Sequence, residues 1–258
     1  MTTPTKPVAK KRRSSQRAVY DEFGDLQGYE PVGSRTSRAE AAANRLRADG
    51  HEINPVTLVG KGPKGLAVSA WGRAWCSNIE SYVQYAHVLP RGRSLVRNGC
   101  VLDLKIDQGV ITAMIYGDTQ RHVTIRTKSS PGNNWESLKH KCAGSVSSLA
   151  SLLQGAIPAE IMLEMTRPEG GLMPTPEGIS FSCDCTDWAE LCEHAAAALY
   201  GVAIRLDTQP HLLFHWNGVN PQDIIAVTLE SNPPSAHDAA TPLMPEDDLS
   251  SLFGIELE

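Results

Sequence analysis

The run Ser182-Cys183-Asp184-Cys185-Thr186-Asp187-Trp188-Ala189-Glu190-Leu191-Cys192-Glu193-His194 constrains this chain more than any other, because it gathers four potential metal donors in one short stretch. Thiolates and a neutral imidazole bind zinc tetrahedrally, and a site made of four protein ligands leaves no position for water or substrate. A metal held here is therefore expected to be structural. Cys183 and Cys185 stand two apart at the end of the extended run Ile179-Ser180-Phe181, so a strand or its turn directs both sulfurs to one side. Cys192 and His194 lie at the mouth of an alanine-rich helix. A single cysteine is most simply a small core residue; a tight quartet in a reducing cytosol reads as a metal site rather than as disulfides.

The spacing C-x-C-x6-C-x-H, with an apolar strand before it and a helix after it, resembles the SWIM-type zinc finger family. The runs Ala70-Trp71-Gly72-Arg73-Ala74-Trp75, Leu89-Pro90-Arg91-Gly92-Arg93 and Gly201-Val202-Ala203-Ile204-Arg205-Leu206-Asp207 extend the likeness to a bacterial subfamily encoded near Swi/Snf-class helicases, over about Trp71 to Ile225. The resemblance implies one structural Zn2+ on Cys183, Cys185, Cys192 and His194, in a small strand-strand-helix finger. It also implies a role in DNA binding or protein interaction, with a Swi/Snf-class helicase as partner. Two positions depart from the family pattern: Thr186 stands where proline is common, and Glu193 where a basic residue is common. The second weighs against phosphate contact by the finger.

A chain of 258 residues with 41% hydrophobic composition can bury a real core in one or two domains. It has no apolar run near the ~20 residues that span a bilayer and no signal-peptide core, so a cytoplasmic location is expected, with nucleoid association as an option. Cys76, Cys100 and Cys142 sit singly in periodic segments and read as core residues. The net charge of −5 excludes a uniformly basic nucleic-acid binder but conceals ends of opposite sign. Lys6, Lys10, Lys11, Arg12, Arg13 and Arg17 precede any acid, whereas Glu230 to Glu258 contains acids and no lysine or arginine. Both ends are polar and proline-containing, which predicts a disordered basic arm over 1–35 and a disordered acidic tail over 229–258. Lys10, Lys11, Arg12 and Arg13 are candidates for phosphate contact, set against the plainer reading of a solvated arm. Leu249 to Ile255, beside Glu246, Asp247 and Asp248, can be a short docking motif or a frayed end.

Between the ends, Thr36 or Ser37 is expected to cap a helix from Arg38 to Asp49, closed by Gly50. Gly60-Lys61-Gly62-Pro63-Lys64-Gly65 reads as a linker without a Walker pattern, giving a helix-and-linker segment over 36–65. An α+β region follows over 66–166, and the finger with its succeeding helices over 167–228. Trp71, Trp75, Ile79, Val83 and Ala86 recur at helical spacing, so a helix from Gly72 to His87 with a core-facing stripe is expected, ended by Pro90. Leu95-Val96, Val101 to Ile106, Val110 to Tyr116 and His122 to Arg126 read as strands of a small antiparallel sheet, with hairpins at Asn98-Gly99 and Gln108-Gly109. Two helices broken at Ala143-Gly144 and a turn from Pro158 to Met165 complete the helical part, and the helix from Leu191 to Leu206 carries apolar residues along its length.

Arg91, Arg93 and Arg97 share a parity, so an extended segment directs all three to one side. A two-residue Asn98-Gly99 loop sets them on the face of Leu102, Leu104 and Ile106; a three-residue loop, the preferred reading, sets them beside Asp103 and Lys105. Arg121, Arg126, Lys128, Lys139 and Lys141 extend such a basic surface, whose plainer reading is a solvated sheet face. The finger itself is acidic: no lysine or arginine lies between Arg167 and Arg205, while Glu169, Glu177, Asp184, Asp187, Glu190 and Glu193 crowd that span. Such a surface repels phosphates.

The leading expectation is thus a non-enzymatic zinc-stabilised adaptor for a protein partner, and the alternative is direct DNA or RNA binding through the arginine-bearing sheet and the arm. An enzyme ranks last, because no deaminase, nucleophile-elbow or paired-carboxylate motif stands out. His211, His215 and Trp216 read as a packed helix end, not as further ligands.

Overall fold

The computed structural model describes residues 19–20, 26–27, 32–58, 65–127, 132–146 and 148–231. The elements run β1 (Val19–Tyr20), β2 (Leu26–Gln27), α1 (Val32–Ala48), α2 (Ala70–Glu80), a 3-10 turn (Val83–Tyr85), α3 (Leu89–Arg97), β3 (Val101–Asp107), β4 (Val110–Tyr116), β5 (Gln120–Thr127), α4 (Gly132–Cys142), α5 (Leu149–Gln154), α6 (Ala159–Met165), β6 (Ile179–Cys183), α7 (Glu193–Thr208), α8 (His211–Trp216) and α9 (Gln222–Ser231). The fold is α+β, as expected. Lys10, Lys11, Arg12, Arg13, Lys61, Lys64, Lys128 and the segment 232–258 lie outside the described residues. Among the described residues, no helix is long and apolar enough to cross a membrane.

Alternating apolar residues along β3, β4 and β5 produce an antiparallel sheet in the order β3-β4-β5-β6. The Gln108-Gly109 turn joins its first two strands as predicted, with Asp107 opposite Val110 and Gly109 at φ 72°, a conformation glycine adopts without steric cost. β6 pairs with β5 from Thr127↔Ile179 to Val123↔Cys183. The strand that enters the cysteine cluster is thus the edge strand of the main sheet, and 66–166 and 167–228 share one hydrophobic core.

Helix α7 is the centre of that core. Its alanines Ala195, Ala196, Ala197 and Ala198 are all buried, on every side of the helix. Such small side chains let neighbouring backbones come close, and glycines meet them. A Cβ added to Gly92 of α3 would lie 2.5 Å from the Ala196 Cβ, and one added to Gly72 of α2 would lie 2.5 Å from the Ala203 carbonyl oxygen. The indole of Trp75 donates to the Leu199 carbonyl (2.9 Å), and that of Trp71 donates to the Leu152 carbonyl (3.0 Å), so both buried donors are satisfied.

The arginine-bearing strand is not formed: Arg91, Arg93 and Arg97 lie on helix α3. Pro90 starts this helix instead of ending the one before it, as suits a residue without a useful N–H in a first turn. Asn98 is the C-cap and Gly99, at φ 69°, follows it, so the dipeptide ends a helix where a hairpin was expected. Leu89, Gly92, Leu95 and Val96 are its buried residues, and a step of 100° per residue sets Arg93 and Arg97 one turn apart on one side of the helix with Arg91 turned away from both. Arg93 pairs with the Glu80 carboxylate, donates to the Tyr200 hydroxyl (3.0 Å) and lies 5.2 Å from the Tyr200 ring centroid, whereas Arg91 and Arg97 are exposed. The extended segment on which a shared face for the three was expected is thus replaced by a helix.

Other boundaries shift for local reasons. α2 stops at Glu80, so Val83 is 83% exposed, and Tyr82 and Tyr85 take the buried positions. The Tyr82 hydroxyl and the Asn78 amide both donate to the Pro174 carbonyl, at 2.6 and 2.9 Å. α1 begins at Val32, ahead of the expected cap, and β1 and β2 pair within 1–35 through Val19↔Gln27 and Tyr20↔Leu26. α9 runs to Ser231, past the expected start of the tail.

Candidate metal centre

The four predicted donors are brought together. Cys183 is the last residue of β6, Cys185 follows in a bend, Cys192 is the N-cap of α7, and His194 lies in the first turn of that helix. Their donor atoms all lie within 4.8 Å of one another, and among the described residues this is the cluster able to hold a metal ion. His211 and His215 are exposed and remote from it in role, while Trp216 is buried against Trp75 with ring centroids 5.5 Å apart.

Local chemistry explains each placement. The extended backbone of Cys192 (φ −87°, ψ 170°) turns its sulfur back over the helix start, where it accepts the Ala195 N–H at 3.4 Å. A thiolate there also faces the positive end of the helix dipole. The Cys192 sulfur lies 3.9 Å from His194 Nδ1, and His194 is 8% exposed. The other ring nitrogen, Nε2, faces the turn between β4 and β5: a Cβ on Gly117 would lie 2.6 Å from it. Glycine at 117 is therefore what admits the imidazole. Asp184 ties the bend to the sheet, its carboxylate accepting the His122 N–H (3.0 Å) and its own N–H donating to the His122 carbonyl (3.3 Å). Gly117 and the Asp184 clamp carry no motif signal, and only the pairing of β5 with β6 reveals them.

Electrostatics fit a cation. Burial pushes the Cys183 and Cys192 thiols up and the His194 imidazole down, so the protein alone favours neutral thiols and a neutral ring. A neutral imidazole is ready to ligate, and a divalent ion supplies the positive charge that buried thiolates need. His194 Nε2 is buried without a hydrogen-bond partner, 4.0 Å from the Glu193 carboxylate. Three sulfurs and one imidazole thus form a Cys3His cluster able to hold a metal ion, with donors that suit a soft or borderline one.

The loop between the ligands is solvent-facing. Asp184, Thr186, Asp187, Trp188, Ala189 and Glu190 are all exposed, and Trp188 is exposed completely.

The uncharacterized protein Rv2102 of Mycobacterium tuberculosis is similar to this chain, with 29% identity over 164 residues. The match covers 62% of this chain and 59% of that protein, so this chain spans less than two thirds of the relative's length. No family profile matches the chain, and no solved structure matches it.

Proposed function

We propose that this chain is a zinc-binding, non-enzymatic interaction module of the SWIM type: an adaptor in which one structural Zn2+ on Cys183, Cys185, Cys192 and His194 shapes a surface for a protein partner. The observation that carries the reading is the convergence of three sulfurs and one imidazole nitrogen within 4.8 Å, a donor set that closes a zinc tetrahedron. Closure leaves no vacant position for a substrate. What the ligands accomplish is mechanical. Cys183 and Cys185 anchor the edge of the sheet, Cys192 and His194 anchor the central helix, and the exposed loop between them is held out from the body. The spacing of the quartet, with its likeness to the SWIM family, supports a Swi/Snf-class helicase as the partner, in DNA-related processes.

Direct nucleic-acid binding is the weaker reading. Arg93 is committed to Glu80 and Tyr200, and the loop at the metal site is acidic. Affinity for nucleic acid rests mainly on cations meeting phosphates.

Metal analysis of protein purified without added zinc tests the first step: one zinc per chain is expected, lost in Cys192→Ser. A parent well below one zinc per chain, or a variant that keeps its metal, rejects the assignment. Co-elution with a purified Swi/Snf-class helicase from the same cell tests the second step. The complex is expected to form with the zinc-loaded chain and to fail with Cys192→Ser; no complex with the loaded chain rejects that partner.

A further inference from the structure

We infer that Trp188 is the anchor of a docking surface for a positively charged protein segment, with its indole and the acids around it reading lysine or arginine side chains on the partner. The inference rests on the reading of the metal site as the scaffold of an interaction module, and it names the chemistry of the partner. The chain has five tryptophans. Trp71, Trp75, Trp135 and Trp216 are all buried, between 0 and 7% exposed, whereas Trp188 is 100% exposed. An indole left wholly in water gives up the burial that stabilises the other four, and tryptophan is among the residues most enriched at the energetic centres of interfaces.

The tryptophan stands on a loop that is pinned on several sides. The Asp187 carboxylate accepts the Ala189 N–H at 3.0 Å, closing a local turn directly beneath Trp188. Asp184 is clamped to His122 of β5, and Arg121 donates to the Asp184 carbonyl at 3.3 Å. At the start of the loop, Phe181 of β6 packs edge-on against Tyr85 with centroids 5.9 Å apart. A loop held this way loses little freedom on binding, which is where exposed side chains otherwise forfeit affinity.

Charge selects the occupant. Burial and the negative charges of Glu190 and Glu177 push the Tyr85 hydroxyl up, and Asp184, Asp187 and Glu193 stand in the same stretch of chain as Trp188, so the loop is acidic. Arg121 is the cation that faces it, engaged with the Asp184 carbonyl. A cationic segment satisfies both features: its charges meet the carboxylates, and one guanidinium or ammonium covers the indole face. A single-stranded nucleic acid satisfies only one, because its bases can stack on the indole while its phosphates meet the acids.

The test uses the full zinc-loaded chain and a random-sequence peptide display library, whose enriched peptides are synthesised and measured by fluorescence anisotropy. Enriched peptides should carry net positive charge and weaken with rising salt. Trp188→Ala should cut their affinity about tenfold or more, Trp188→Phe should restore part of it, and Glu177→Gln with Asp187→Asn should weaken it while preserving the Ala189 turn. All of these variants should keep the zinc content and melting temperature of the parent. Enrichment without charge bias, no enrichment at all, or unchanged affinity in Trp188→Ala overturns the inference. So does single-stranded DNA binding that is lost in Trp188→Ala, which would make the loop a base-stacking platform. A parent that lacks zinc refutes the metal reading instead, and metal analysis on the same samples separates the two failures.

Discussion

Helix α7 is held to its surroundings in two different ways. Along most of its length, contact is made by small side chains: Gly92 and Gly72 admit the backbones of α3 and α2, and Trp75 reaches across to the Leu199 carbonyl. At its N-terminus, contact is made by donor atoms, with Cys192 and His194 facing Cys183 and Cys185 across an exposed loop. The first region draws its order from apolar burial, which needs no outside component. The second has few apolar residues to bury, so on the zinc-bound reading proposed above ligation and a handful of hydrogen bonds hold it. One helix thus joins a self-sufficient core to a surface loop whose order is conditional.

The largest effect expected from this contrast is on metal removal. Structural zinc contributes roughly 10–16 kcal/mol of apparent binding energy in small fingers, so chelation should abolish amide protection from Cys183 to Ala195. The strands β3 to β5 and the second half of α7 should retain theirs, because their burial is independent of the ligands. Hydrogen exchange with and without chelator distinguishes this from a uniform loss of protection, which would mean the two regions are not separable.

Substitutions in the body should behave in the opposite sense. Trp75→Ala removes a buried ring and leaves the Leu199 carbonyl short of its donor, which should cost about 3–5 kcal/mol in denaturant unfolding. Zinc should remain bound below the transition. A smaller loss, about 1–3 kcal/mol, is expected for Gly92→Ala. Helix propensity alone favours alanine by about 1 kcal/mol, but the new Cβ would lie 2.7 Å from the Ala196 carbonyl carbon, so the helices must part. A variant at least as stable as the parent would show that the α3–α7 contact is looser than described.

Gly117→Ala sharpens the comparison from the metal side with the smallest effect. Its Cβ would press on His194 Nε2 and rotate the ring away from the sulfurs, while the strands on either side keep their pairing. Metal affinity should fall about 10- to 100-fold, as for other residues that orient a ligand, with little change in the unfolding midpoint of the zinc-free protein. Competition against a chromophoric chelator measures the first, and denaturation in chelator measures the second. Equal losses in both would mean that the turn serves the core more than the site.

Much of this was legible from residues alone. Donor type and spacing pick out the quartet that the fold brings together, because few other uses require three cysteines and a histidine so close in sequence, and period-two alternation identifies β3, β4 and β5. The Arg91 to Gly99 segment was misleading for a definite reason. Asn-Gly satisfies both a hairpin and a helix end, since each needs a residue with positive φ, and the parity of three arginines is compatible with either period. Buried positions at Leu89, Gly92 and Val96 resolve it, but Gly92 is apolar surface only in the presence of Ala196.

By itself, then, the sequence determined the quartet of candidate donors, the α+β class, the continuous burial of α7 and the acidity of the loop, all of which depend on residue type and short-range spacing. Tertiary structure alone decided that β6 joins the main sheet, that α3 is a helix, that Gly117 makes room for His194, and that Trp188 stands in solvent while four other indoles are buried. Each of these depends on which surface lies opposite, and residues far apart in the chain supply that surface.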